Sequence, residues 1–518
     1  MTSPQTVADV MKAPALTATP DERVQAAADR MQNKSTGSIV IVDGGRVVGI
    51  LTERDVLRLA ATGADPLHER VADWMTPEPV TAEPSMAATA ALKRLNEEQF
   101  RHMPVCANGD LVGIVSMRDL MAIARVEPVR HPGELDAPKG LAGVTVAETD
   151  VGGVRGREGF FHYREYAATD LARLRTFEDV WHLLLLGSLP ATLDEREAFR
   201  QRVAPLRIVS ERTGHMLCEI AEGGSGPLDG LRTGVSLVAA EEGFRASLDT
   251  SAEELREQAL RITAAVPTMI AALYRAGRGK DPIAPHPDLP YAANYLYMLS
   301  GQLPEPEHGR AIEQYLISTM DHGFNASTFT ARVITSTGAD LGAAITGAVG
   351  ALSGPLHGGA PSRALDLLDE IGTVDRAEQV VRAKIQDGER IMGFGHRVYK
   401  TRDPRSVLLR EVAERVGGPQ AALATAVEDI VVDTLAELKP GRELYANVEY
   451  YAGIVMEAAG LPPELFTATF AASRTVGWCA HVLEQAADNR LIRPSARYVG
   501  PPPPQEIPTL DGDVATSP

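Results

Sequence analysis

The chain has 518 residues, 44% of them hydrophobic, and a net charge of −18. That length is room for about three domains of ordinary size, and the apolar share is that of a globular chain with a large core. The acidic balance excludes a general nucleic-acid or anionic-membrane surface, since both need clustered Lys and Arg, but it leaves room for a small anion held by a few arginines. Residues 1–10 have neither a basic start nor an apolar stretch, so no signal peptide is expected. The densest apolar run, residues 181–186, is too short to cross a bilayer. Cys106, Cys218 and Cys479 are isolated, as in a reduced, cytoplasmic protein, and no His/Cys spacing suggests a metal.

The first 125 residues repeat at an offset of 64: Val7-Ala8-Asp9-Val10-Met11 returns as Val71-Ala72-Asp73-Trp74-Met75, and the run from Gly49 to Asp55 returns from Gly113 to Asp119. The first copy reads as a helix over about 24–33, a strand over 38–42, a Gly44-Gly45 turn, and a second strand over 47–51. That strand enters a helix at Thr52. Thr52 and Ser116 stand where a hydroxyl caps a helix N-terminus or where the same amides hold a phosphate. The repeat resembles a tandem pair of CBS domains, carried by Gly-x-x-Thr/Ser-x-x-Asp in both copies. The resemblance implies an adenine nucleotide as regulatory ligand, with Thr52 and Ser116 on phosphate and Asp55 and Asp119 on ribose hydroxyls. The alternative is a pair that serves only as a dimerisation scaffold.

The reading divides the chain into 1–126 (copies at about 3–62 and 67–126), a Pro- and Gly-rich linker over 127–140, a body over 141–500, and a disordered tail over 501–518. The body is mostly helical. In residues 421–438, Ala424, Val427, Val431 and Leu435 fall on one face before Lys439-Pro440-Gly441 stops the helix. Residues 311–319, 365–371 and 464–491 read likewise, and only residues 159–163 look like a strand.

Within the body, Ser353-Gly354-Pro355-Leu356-His357-Gly358-Gly359 and Gly393-Phe394-Gly395-His396-Arg397 each set a histidine among glycines. Asn447-Val448-Glu449 adds a carboxylate, and residues 321–328 add a further His-Gly step at His322. Any one of these alone reads as a turn. Together, two imidazoles and a carboxylate suffice to remove a proton beside a thioester, stabilise the enolate and polarise a ketone acceptor. The glycines are expected to let backbone approach the substrate closely.

Over residues 150–500 the body resembles citrate synthase, on residues 321–328, Leu356-His357-Gly358-Gly359, residues 393–400, Asp403-Pro404-Arg405 and Arg493-Pro494-Ser495. The resemblance implies that His357 stabilises the acetyl-CoA enol, His396 polarises and protonates the oxaloacetate carbonyl, and Glu449 is the base. It also implies that His322, Arg405 and Arg474 bind oxaloacetate, that Arg493 does so from the other subunit of a homodimer or higher homo-oligomer, and that Lys400 lies near CoA. The commonest family pattern has Asp where this chain has Glu449, one methylene longer. The expected fold is an N-terminal α/β CBS pair followed by a mostly all-α body, with a small domain over about 361–461 closing on a large one. No cofactor is expected for the chemistry. Two rival readings remain: a 2-methylcitrate synthase using propionyl-CoA, and a non-catalytic nucleotide sensor on a degenerate synthase body. His162, His182, His215, His286 and His481 receive no role. Arg155, Arg157 and Arg164 read as a solvated face, and Trp478-Cys479-Ala480-His481 as helix packing.

Overall fold

The computed structural model describes residues 6–34, 36–98, 100–117, 119–120, 137–141, 143–358, 361–396, 398–439, 441, 444–500 and 503–504. Most of the expected linker and tail lies outside these residues. The chain forms two units: one holds the repeat, together with residues from Ser495 onward, and the other is Gly143–Pro494.

In the first unit the strands are β1 (Thr17–Ala18), β2 (Ser38–Asp43), β3 (Arg46–Thr52), β4 (Thr76–Pro77), β5 (His102–Ala107) and β6 (Asp110–Ser116). They form one sheet of order β1-β2-β3-β6-β5, with β4 on β3. The expected hairpin turns through Gly44 and Gly45, both at positive φ. The arms that open each repeat are exchanged. Lys12 bridges to Ile114 of the second copy, and Thr76–Pro77 pairs with Gly49 and Ile50 of the first. Val7 is buried with Ala91, Met103 and Val115, and Val71 with Val24, Ile39 and Leu51. Each copy therefore completes the other's core, and neither buries its apolar face alone.

The second unit is a helical body around a 25-residue helix, Ala252–Ala276. Its interior Pro267 has no N–H, so the Thr263 carbonyl four residues earlier has no partner within the helix. The Tyr291 hydroxyl donates to that oxygen at 3.2 Å. This helix packs on Phe466–Ala487, which also meets Pro306–Thr319, Ala326–Ser336 and Leu341–Leu352. Helices Pro361–Ile371, Val374–Gln386, Pro404–Val416, Pro419–Leu438 and Val448–Ala458 pack on one another.

The sequence patterns anticipated four of these helices, with 311–319, 365–371, 421–438 and 464–491 observed as Pro306–Thr319, Pro361–Ile371, Pro419–Leu438 and Phe466–Ala487, and one of three strands. The sheet comprises β7 (Gly152–Arg155), β8 (Phe160–Tyr163) and β9 (Tyr166–Ala167). Of the strands missed, Gly152–Arg155 has two glycines and a single apolar side chain, Val154, and Tyr166–Ala167 is two residues long, so neither shows a strand pattern. The reading of Arg164 as solvated is also corrected. Its guanidinium donates to Leu183 O at 2.8 Å and Leu184 O at 3.1 Å, closing the carbonyl end of helix Phe177–Leu186. Among the described residues no helix is long and apolar enough to cross a membrane.

Candidate active site

His396 and Glu449 are fixed against each other by backbone. Gly395 N donates to Tyr445 O at 2.8 Å, and Asn447 N to Gly393 O at 2.8 Å. Asn447 Nδ2 donates to Gly395 O at 3.0 Å, while its Oδ1 caps helix Val448–Ala458 by accepting from Glu449 N at 3.0 Å. The histidine loop and the acid's helix thus share one asparagine. Two of the glycines also serve packing within the protein. A Cβ on Gly393, at φ +84°, would meet Tyr450 at 3.0 Å, and one on Gly358 would meet Leu352 O at 2.5 Å. They let the catalytic segments pack against the protein itself.

Both histidines have defined tautomers. The amides of Val398 and Tyr399 donate to His396 Nδ1 at 3.0 Å each, so the neutral ring carries its proton on Nε2. Arg405 Nη2 lies 3.2 Å from that nitrogen. Two donors side by side call for a common acceptor, such as a carbonyl or carboxylate oxygen. Burial, then the Arg405 guanidinium, pull the His396 pKa down to about 4. At His357, Ser327 N donates to Nε2 at 3.3 Å, which puts the neutral proton on Nδ1. Ser327 Oγ lies 2.8 Å from the same nitrogen. Ser327 is in the first turn of helix Ala326–Ser336, where Asn325 Oδ1 caps the Ser327 and Thr328 amides at 3.1 Å each. Burial first, then Arg474, lower the His357 pKa to about 4.

Arg405 is 3% exposed and held bidentately by Asp403, Nε to Oδ1 at 3.0 Å and Nη2 to Oδ2 at 2.8 Å. Asp403 also accepts from Val448 N at 3.2 Å, beside Glu449. Arg474 is 2% exposed, donates to Thr319 O at 2.7 Å, and lies 4.6 Å over the Phe470 ring. His322 Nε2 lies 2.9 Å from the Tyr399 hydroxyl, and its ring is 5.8 Å from that of His396. Burial, then Arg405, Arg474 and His396, drive the His322 pKa well below its ordinary value. Glu449 is half-buried, and its carboxylate makes no hydrogen bond among the described residues. Burial pushes its pKa up to about 7, against Arg405 and with Asp403.

The structure therefore brings His322, His396, Arg405 and Glu449 together, with His357 and Arg474 joined through residues 319–328. Lys400 is exposed, with its amide on Gly156 O at 3.0 Å. Arg493 is exposed in the segment after the last helix and, among the described residues, pairs with none of these side chains. A cavity of about 580 Å³ lies beside the site, lined by Arg173, Thr401, Arg402 and Tyr445 among others, and includes none of the catalytic candidates.

Residues 140–495 match the family model described as citrate synthase, C-terminal domain. The chain belongs to the citrate synthase family. Residues 7–62 and 71–125 match the CBS domain, so a CBS pair is fused to a citrate synthase body. The chain is 39% identical to the citrate synthase of Deinococcus radiodurans over 70% of this chain and 95% of that protein. It is 36% identical to citrate synthase 2 of Bacillus subtilis over 72% and 99%. The citrate synthase structure from Thermotoga maritima superposes with a TM-score of 0.63 at 38% identity, covering 71% of this chain and 98% of that one. The Thermoplasma acidophilum enzyme, solved in a ternary complex with carboxymethyl coenzyme A and oxaloacetate, gives a TM-score of 0.65 at 31% identity, covering 71% and 98%. The likeness spans the whole body, and the chain is an enzyme of the citrate synthase reaction.

Sequence reasoning passed over several residues that build this citrate synthase site. Asp403 was visible only as part of Asp-Pro-Arg, and nothing local indicates that it ties Arg405 to the Glu449 helix. Tyr399 and Ser327 lay within the segments 393–400 and 321–328 but received no role of their own. In the CBS pair, Thr52 N and Oγ1 donate to Asp55 Oδ2 at 2.9 and 2.7 Å. Ser116 N donates to Asp119 Oδ2 at 3.2 Å, and Asp119 N to Ser116 Oγ at 3.2 Å. Both aspartates close capping boxes, so a ribose would have to share or displace those hydrogen bonds.

Proposed function

We propose that this chain condenses acetyl-CoA with oxaloacetate and water to give citrate and CoA, and that adenine nucleotides acting on the CBS pair regulate it. The pairing of two imidazoles held neutral with a carboxyl whose pKa is near 7 supports this reading above all. Glu449 takes a methyl proton while His357 donates from Nδ1 to the thioester oxygen, so charge never builds on an unassisted enolate. A neutral imidazole suits this role, because it donates a hydrogen bond without surrendering its proton outright. His396 donates from Nε2 to the oxaloacetate ketone and gives it the proton as the carbon–carbon bond forms. Arg405, Arg474 and His322 bind the substrate carboxylates, which match their fixed donors in charge and planarity. Water then hydrolyses the citryl thioester, releasing CoA. Lys400 serves CoA, and Arg493 completes the site of a neighbouring copy in a homodimer.

The test is CoA-thiol release by the full chain with oxaloacetate, comparing acetyl-CoA with propionyl-CoA, with and without ATP, ADP or AMP. Faster release from acetyl-CoA, altered by a nucleotide, is expected. Faster release from propionyl-CoA makes it a 2-methylcitrate synthase, since one methylene in an apolar pocket shifts preference by only about 1–3 kcal/mol. No release from folded protein leaves the non-catalytic sensor.

A further inference from the structure

Helix Phe466–Ala487 carries Arg474, Trp478, His481 and Gln485 at spacings of four, three and four, a single stripe of an α-helix. All four are buried. Only Arg474 has a role so far. Trp478 Nε1 donates to Ser327 Oγ at 3.1 Å, behind His357. Gln485 and His481 hold the buried Arg332, whose Nε donates to Gln485 Oε1 at 3.0 Å and whose Nη1 lies 3.1 Å from His481 Nδ1. Glu484 pairs with the Arg332 charge. Since arginine can only donate, Nδ1 accepts and the neutral ring carries its proton on Nε2. That nitrogen lies 3.2 Å from Asp321 Oδ1. Asp321 is 1% exposed, and its Oδ2 accepts from Gly323 N at 3.0 Å.

The hydrogen bonds run from Arg332 through His481 to Asp321, and the same carboxylate accepts from the backbone at Gly323. His322 lies between Asp321 and Gly323, the two ends of that last bond. A fully buried carboxylate is costly to hold, and a turn alone could be made without one. We propose that His481 is a positioning residue for oxaloacetate binding, fixing through Asp321 the turn that aims His322 at Tyr399 and His396. This rests on the reading of His322 as a substrate ligand. His481 touches no reacting atom.

The test uses the full chain with His481→Leu, His481→Gln, Asp321→Asn and His322→Asn, each checked for folding by thermal melting. Glutamine can still donate to Asp321 and accept from Arg332; leucine can do neither. His481→Leu is expected to raise the oxaloacetate KM by about tenfold to a hundredfold, the scale of a misplaced positioning group, and to leave the acetyl-CoA KM unchanged. His481→Gln is expected to restore most of the loss. A wild-type oxaloacetate KM in His481→Leu, or a Gln variant as impaired as the Leu variant, overturns the proposal. Should the Leu variant not fold, Asp321→Asn carries the test: a raised oxaloacetate KM supports the relay and an unchanged one overturns it. A raised KM in His322→Asn alone overturns the relay and spares the site. Unchanged values in both His322→Asn and His481→Leu overturn the reading of His322 as well.

Discussion

Replacing Glu449 with glutamine keeps the side chain's shape and removes its titration. With a folded pKa raised from 4.5 to about 7, the fold prefers the protonated form of this carboxyl. The group is therefore neutral and nearly cost-free at low pH, and destabilising once ionised. Stability is lost as pH rises through the window from 4.5 to about 7. At about 1.4 kcal/mol per pKa unit, the full cost above that window is about 3 kcal/mol. Glu449→Gln should thus melt higher than the wild type at about pH 8, with the gain fading by about pH 4. In activity the sign reverses, because in the proposed mechanism the ionised carboxylate is the base. Wild-type thiol release should fall about tenfold per pH unit below about pH 7. The two imidazoles, each near pKa 4, contribute no limb in that range. The variant should lose about a hundredfold to ten-thousandfold in rate, along with the limb, while still binding oxaloacetate. Calorimetric melts and thiol-release profiles measure both effects. An unchanged rate, or an acid limb that persists in the variant, would mean that another group is the base.

Other perturbations probe other parts of the architecture. His396→Ala and Arg405→Ala should nearly abolish turnover; the latter also strands the buried Asp403 carboxylate, at about 3–5 kcal/mol in a denaturant titration. Near-normal rates in either variant would remove that residue from the site. Gly358→Ala places a Cβ 2.5 Å from the Leu352 carbonyl. It should cost about 1–3 kcal/mol and shift His357, read as a lower melting temperature together with a lower kcat. For the CBS pair, calorimetry on the full chain should show heat with at least one of ATP, ADP or AMP, weakened in Asp55→Asn or Asp119→Asn. No heat with any of the three would leave the pair as a scaffold.

The helices and the catalytic residue types were legible because they are written locally. Apolar spacing in 421–438, the Lys-Pro-Gly stop and the N-cap residues all act within a turn or two of where they stand. The repeat was visible for the same reason, as one pattern written twice. The exchange of its arms was not, since Val7 and Val71 have closely similar local contexts and only core packing decides which copy each completes. Likewise, His481 reads in sequence as helix packing, which it is. What gives it further meaning is Asp321, 160 residues earlier. Asp403 likewise shows its span only where Val448 N reaches it from 45 residues away. The sequence alone determined which side chains could do the chemistry. The tertiary structure decided their tautomers, the raised pKa of Glu449 and the supports behind them. Those depend on burial and on hydrogen-bond partners brought in from distant segments, which no local pattern encodes.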